Sequence, residues 1–176
     1  MTEAPPRPAW AMYDPGPTID WSLSFDDLIV PPYHAGDIHQ PIGAFISNGA
    51  PKGKRIWTNT EAYQVWLDRV HLLQALPGCE SDGASVPRAF WSLCPPLEPT
   101  TWPAAFCHDL TYAGELMTRQ ECDRMFYRMM RLGGTGKAKA GVMFGAVYGC
   151  GWVVWNRHTQ ESIDYALLRC RIITPD

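Results

Sequence analysis

Residues Phe106–Arg128, F-C-H-D-L-T-Y-A-G-E-L-M-T-R-Q-E-C-D-R-M-F-Y-R, read as two helices joined by a short turn. Thr118 followed three residues later by Glu121 is a capping box, so a helix starts at Met117–Thr118. Gly114 marks the end of the helix before it. His108, Asp109 and Tyr112 sit on the first helix, with His108 and Tyr112 four apart on one face. Asp123 lies one to two turns into the second. If the helices pack as a hairpin, Asp123 comes opposite His108 and Tyr112. An imidazole, two carboxylates and a phenol then meet among Phe106, Leu110, Met125 and Phe126. Such a group is either a buried polar network or an active site, and in both cases its polar atoms need partners.

Working outward, 176 residues suit a Pro-rich extended arm over residues 1–20 and a single domain over residues 21–176. The apolar fraction of 46% is enough to fill a core. A net charge of −3, with no basic stripe, gives no nucleic-acid footprint. The N-terminus is polar and Pro-rich, without the apolar stretch of a signal peptide. The longest apolar segment, 138–155, contains Lys139 and several glycines and reads as a packed helix, not a membrane span. Synthesis in the cytoplasm is the expectation. The six cysteines form no C-x-x-C pair and suit reduced, buried thiols.

In chain order, Pro5, Pro6, Pro8, Pro15 and Pro17 keep the arm extended, with Trp10 and Tyr13 as anchors. A strand is expected within 21–33, short strands at 43–47 and 54–58, and a turn over 48–53. His34 and His39 fall in a loop. Residues 61–76 start with the alternation Tyr63, Val65, Leu67 and read as two antiparallel strands ended by Pro77-Gly78, with His71 structural. In E-S-D-G-A-S-V-P, Asp82-Gly83 is a turn and Ser85 caps a helix that has Pro87 near its first position. Asp82, Gly83 and Ser85 thus cluster at a strand-to-helix junction suited to an anion or a metal, or to a plain N-cap. Thr100 or Thr101 caps the His108 helix. The second helix runs to about Leu132, and Thr135 starts a long helix to about Trp155. Gly141, Gly145 and Gly149 recur along one face of it, which implies another backbone close by, taken to be the hairpin. The tail 163–173 returns as a strand or a helix. The fold class is α+β: a small antiparallel sheet in the N-terminal half, then a helical hairpin and a long Gly-bearing helix.

D-G-A-S-V-P at 82–87, H-D-L-T-Y at 108–112 and D-R-M-F at 123–126, followed by a Gly-bearing helix, resemble the phage and prophage domain-of-unknown-function 1353 family over about residues 60–155. That likeness implies a viral or prophage origin and carries no settled activity. A more local likeness is to phospholipases A2, where H-D-x-x-Y lies antiparallel to a helix bearing a second Asp. It implies His108 as the base that activates water, Asp109 as a calcium ligand, Asp123 as the carboxylate orienting the His, and Tyr112 bonded to Asp123. Asp82-Gly83-Ala84-Ser85 departs from the glycine-rich calcium loop of those enzymes.

The expectation is a hydrolase acting on a phospholipid, cell-wall or peptide bond. Its catalytic set is His108, Asp123 and Tyr112, and Asp109 with Asp82 would hold a divalent metal, calcium or zinc. Gly83 and Ser85 supply a supporting loop. The alternative is a non-catalytic virion assembly or tail adaptor protein, with virion or tail proteins as partners in place of a membrane or cell-wall substrate. Oligomeric state is left open.

Overall fold

The computed structural model describes residues 38, 40–46, 56–67, 71–81 and 98–174. The expected arm, the strand within 21–33, the turn over 48–53, His34, His39 and the Asp82-Gly83-Ser85 junction lie outside the described residues.

The architecture is α+β. Strands β1 (Gly43–Ile46), β2 (Ile56–Asn59) and β5 (Glu80–Ser81) form one three-stranded antiparallel sheet with β2 central. Strands β3 (Tyr63–Trp66), β4 (Leu72–Ala75) and β6 (Cys170–Ile173) form a second, with β4 central. The strand pattern read from 61–76 therefore holds, but not as part of one N-terminal sheet. β3 alternates buried and exposed, as a strand with one covered face does, whereas three of the four residues of β4 are buried. The C-terminal segment pairs with the other edge of β4, with Leu73 registered on Ile172. Asn59 ties the two sheets together. Its amide donates to the carbonyls of Glu61 and Leu76, and its oxygen accepts from the Cys79 N–H at 2.7 Å.

Helix α1 (Trp102–Ala113) occupies the centre, buried at ten of its twelve positions. An aromatic junction joins it to both sheets. Trp57 meets Trp102 and Phe106 edge-on at 4.9 and 5.2 Å, and Tyr63 meets Phe106 at 5.6 Å. Thr101 holds the N-cap position, but its hydroxyl donates to the Glu98 carbonyl instead of accepting from the helix. Helix α2 (Arg119–Leu132) packs antiparallel on α1 to complete the hairpin, and its capping box forms in both directions. Helix α3 (Lys137–Cys150) packs on α2, a short α4 (Trp152–Trp155) follows, and α5 (Gln160–Leu167) leads into β6.

Two expectations about the long helix are corrected. It is interrupted at Gly151. The Tyr148 carbonyl accepts from Arg119 Nη1 at 3.0 Å, and helical bonding resumes with the Val154 N–H on Gly151. A side chain inserted in the ladder is a recognised cause of such a break. The glycine face also points the other way. Ala140, Met143 and Val147 are the buried positions of α3, while a Cβ added at Gly141, Gly145 or Gly149 meets nothing within 4 Å. Large side chains, not backbone approach, make the α2–α3 contact. Among the described residues no helix is long and apolar enough to cross a membrane.

Candidate active site

The hairpin brings His108 and Asp123 together. His108 Nε2 and Asp123 Oδ1 are 2.9 Å apart, with the His side chain 8% and the Asp side chain 0% exposed. Arg119, one turn earlier on α2, donates to Asp123 Oδ2 at 3.0 Å, so both carboxylate oxygens are engaged. A carboxylate only accepts, so the hydrogen of this contact belongs to Nε2. Nδ1 is then the nitrogen left to work with. Its nearest carboxylate oxygen is Asp109 Oδ1 at 4.0 Å, beyond hydrogen-bond distance. The imidazole is clamped between Tyr112, with ring centroids 4.6 Å apart, and Phe126, at 5.1 Å.

His108 lines a cleft of about 540 Å³. The α1 side of its wall carries His108, Asp109 and Tyr112, flanked by Glu80 and Ser81 of β5. The opposite wall comes from the end of α3 and from α4, with Val147, Gly151 and Val154 giving way to Arg157 and His158. Asp109 is fixed by the Ser81 hydroxyl, which donates to its Oδ2 and so anchors β5 to α1.

Tyr112 lies where the sequence places it, but it does not bond to Asp123 as the phospholipase likeness implied. The Asp123 oxygens are taken by His108 and Arg119, and the phenol points at Gly151 instead. A Cβ at that position would stand 2.3 Å from the Tyr112 hydroxyl, so the close approach requires glycine. The hydroxyl is buried, with the Arg119 side chain beside it. Burial, reinforced by the nearby Asp123 charge and partly offset by Arg119, pushes the phenol up to about 12.

The metal expectation meets a sparse donor set. Asp82 lies outside the described residues, and among those described no group of three His, Cys, Asp or Glu side chains comes together as a metal site would require. Asp109 is the one expected ligand present, and one of its oxygens is occupied by Ser81.

Sequence reading missed several members of the site. Arg119 is four residues before Asp123, a helical spacing that could have flagged it. Ser81, Gly151 and His158 carry no local signal, since only the tertiary fold brings them to the cleft. His158 bonds through Nδ1 to Glu115 Oε1 at 3.2 Å, and the two are 43 residues apart.

Residues 57–147 match the family described as "Protein of unknown function (DUF1353)". The chain belongs to that family. A curated relative, "Uncharacterized protein y4jT" of Sinorhizobium fredii (strain NBRC 101917 / NGR234), is 34% identical over 87 residues, which make up 48% of this chain and 26% of the relative. The shared stretch thus spans about a quarter of that protein's length. No solved structure matches. The DUF1353 segment contains His108, Asp109, Tyr112, Arg119 and Asp123, and it ends before Gly151, Arg157 and His158.

Proposed function

We propose that this DUF1353 protein is a hydrolase in which His108 is the general base for an attacking water. The carrying observation is the His108 imidazole itself, bonded through one nitrogen to a fully buried carboxylate and lining an open cleft with the ring that carries the other. Water held against Nδ1 gives up its proton there as its oxygen attacks the substrate. The Nε2–H to Asp123 fixes the required tautomer and steadies the imidazolium that forms. Arg119 keeps Asp123 in place from the opposite side. Arg119 can only donate to the buried Tyr112 hydroxyl, so the phenol O–H is a donor available to a substrate oxygen. An acyl ester or amide suits this chemistry, the bond class of a phospholipid, a peptide or a cell-wall cross-bridge. The steps assigned to these side chains involve no metal.

The test is turnover of short acyl esters and amides by the parent protein and by His108→Ala. General-base loss lowers the rate on the order of 10²–10⁴-fold. A parent protein that turns over none of them, or a folded His108→Ala protein as active as the parent, sinks the proposal.

A second reading, a virion or tail adaptor, is favoured by the outer face of α3 and α4, where Val142 and Trp152 are 47% and 56% exposed. Loss of binding to virion components when these two are changed to polar residues, with hydrolysis intact, would separate that role from the cleft.

A further inference from the structure

We infer that His158 is a second catalytic residue of the cleft, the proton donor to the leaving group in the reaction that His108 begins. The inference rests on the hydrolase reading above and extends it to substrates with poor leaving groups. The two imidazoles are held alike. His108 is fixed through Nε2 by Asp123, and His158 is fixed through Nδ1 by Glu115. Each keeps its second nitrogen clear of any described protein partner, and both rings line the same cleft. The same phenol joins them, since Tyr112 lies 4.6 Å from the His108 ring and 6.1 Å from that of His158. Trp155, packed on both Tyr112 and His158, closes the outer side of this group.

Two further observations mark the place as more than packing. Tyr112, between the two imidazoles, is 6% exposed, and the Arg119 guanidinium that holds Asp123 also stands beside its hydroxyl. Glu115, which holds His158, has a φ of 45°, alone among the described non-glycine residues in having a positive φ. A helix end commonly places glycine in that conformation. Here Gly114 precedes it in ordinary right-handed geometry, and the strained position carries the carboxylate that reaches His158. Backbone strain of this kind persists where the surroundings hold it, often at functional sites.

The step balances without a co-reactant. Water attacks the acyl carbon and loses a proton to His108 Nδ1. The bond from carbon to the alcohol or amine breaks with its electron pair going to the leaving atom, which takes a proton from Nε2 of the His158 imidazolium, whose Nδ1–H stays on Glu115. An acid and a neutral alcohol or amine depart. His108 then returns its proton to solvent and His158 recovers one. A base alone serves an activated ester. An acid beside it is needed when the leaving group is an alkoxide or an amine, so the substrate class is an unactivated ester or an amide.

The experiment compares esters of one short acid that differ in the leaving group, from nitrophenol to a simple alcohol. His158→Gln should lose on the order of 100-fold or more on the alkyl ester, lose far less on the nitrophenyl ester, and recover on the alkyl ester when imidazole is added. Equal loss on both esters overturns the assignment and leaves His108 as base. The parent supplies an independent arm that needs no variant. Its rates should stay nearly level as the leaving group becomes more basic, and a steep fall overturns the donor role. A parent inactive on every ester overturns the hydrolase reading and this one with it.

Discussion

Asp123 is completely buried and divides its two oxygens between an imidazole and a guanidinium. Removing His108 therefore does not isolate it, because Arg119 still holds Oδ2. We expect His108→Ala to cost about 1–3 kcal/mol, the range for stranding one buried acceptor. Arg119→Ala leaves His108 as the remaining named partner and should cost a similar amount. The double variant leaves a buried charge with neither, so its cost should exceed the sum of the singles by about 0.5–3 kcal/mol. Chemical denaturation of the four proteins measures this, and strict additivity would show that the two partners do not share one carboxylate. Glu115 poses a separate question of backbone. Its left-handed φ is a strain that glycine removes and alanine retains. Glu115→Gly should be more stable than Glu115→Ala by about 1 kcal/mol, although both lose the contact with His158. Equal melting temperatures would mean the position carries no strain.

Elements with local signals were legible in the sequence. The capping box of Thr118 and Glu121, the alternation opening β3 and the turn at Pro77-Gly78 act within a few residues, and each appears where it was read. The His108–Asp123 contact was legible for the same reason, since a short hairpin brings positions 15 residues apart together. What escaped was nonlocal. Nothing near Cys170–Ile173 indicates that it pairs with β4, nor does the sequence around Glu115 point to His158. The facing of α3 escaped for another reason: the helix is apolar all round, so no polar face orients it. Its glycines consequently lie outward with space around them, and a testable result follows. Alanine at Gly141, Gly145 or Gly149 clashes with nothing and gains helix propensity, so each change should stabilise by about 0.5–1 kcal/mol. If thermal unfolding finds a loss instead, another backbone covers that face in solution.

Among the described residues, buried thiols lie both in the strand-bearing part of the molecule and in the helical hairpin. Cys79 precedes β5, Cys107 is in α1, Cys122 in α2 and Cys170 in β6, all free and all buried, while Cys150 is free and exposed. Burial pushes Cys79 up to about 11, and Cys122 and Cys170 up to about 12, from an ordinary value of 9.0. Cys107 moves in the same direction, with burial its largest cause. Tyr112, raised to about 12, adds a phenol at the cleft. The sign follows from proton linkage. In the folded protein these groups keep their protons to higher pH than in the unfolded chain, so the folded state binds more protons between the two values. The stability they contribute is therefore fully present below about pH 9 and is lost as pH rises through about 11 to 12. We expect the melting temperature to fall across that alkaline window, with thiolate ultraviolet absorbance from the buried cysteines appearing together with unfolding, not before it. Cys122→Ala, in the contact between α1 and α2, should make the fall shallower while lowering stability at neutral pH through its cavity. Thiolate absorbance that rises while the fold is intact would show that solvent reaches these sulfurs in the native state, and that burial is not what holds their protons.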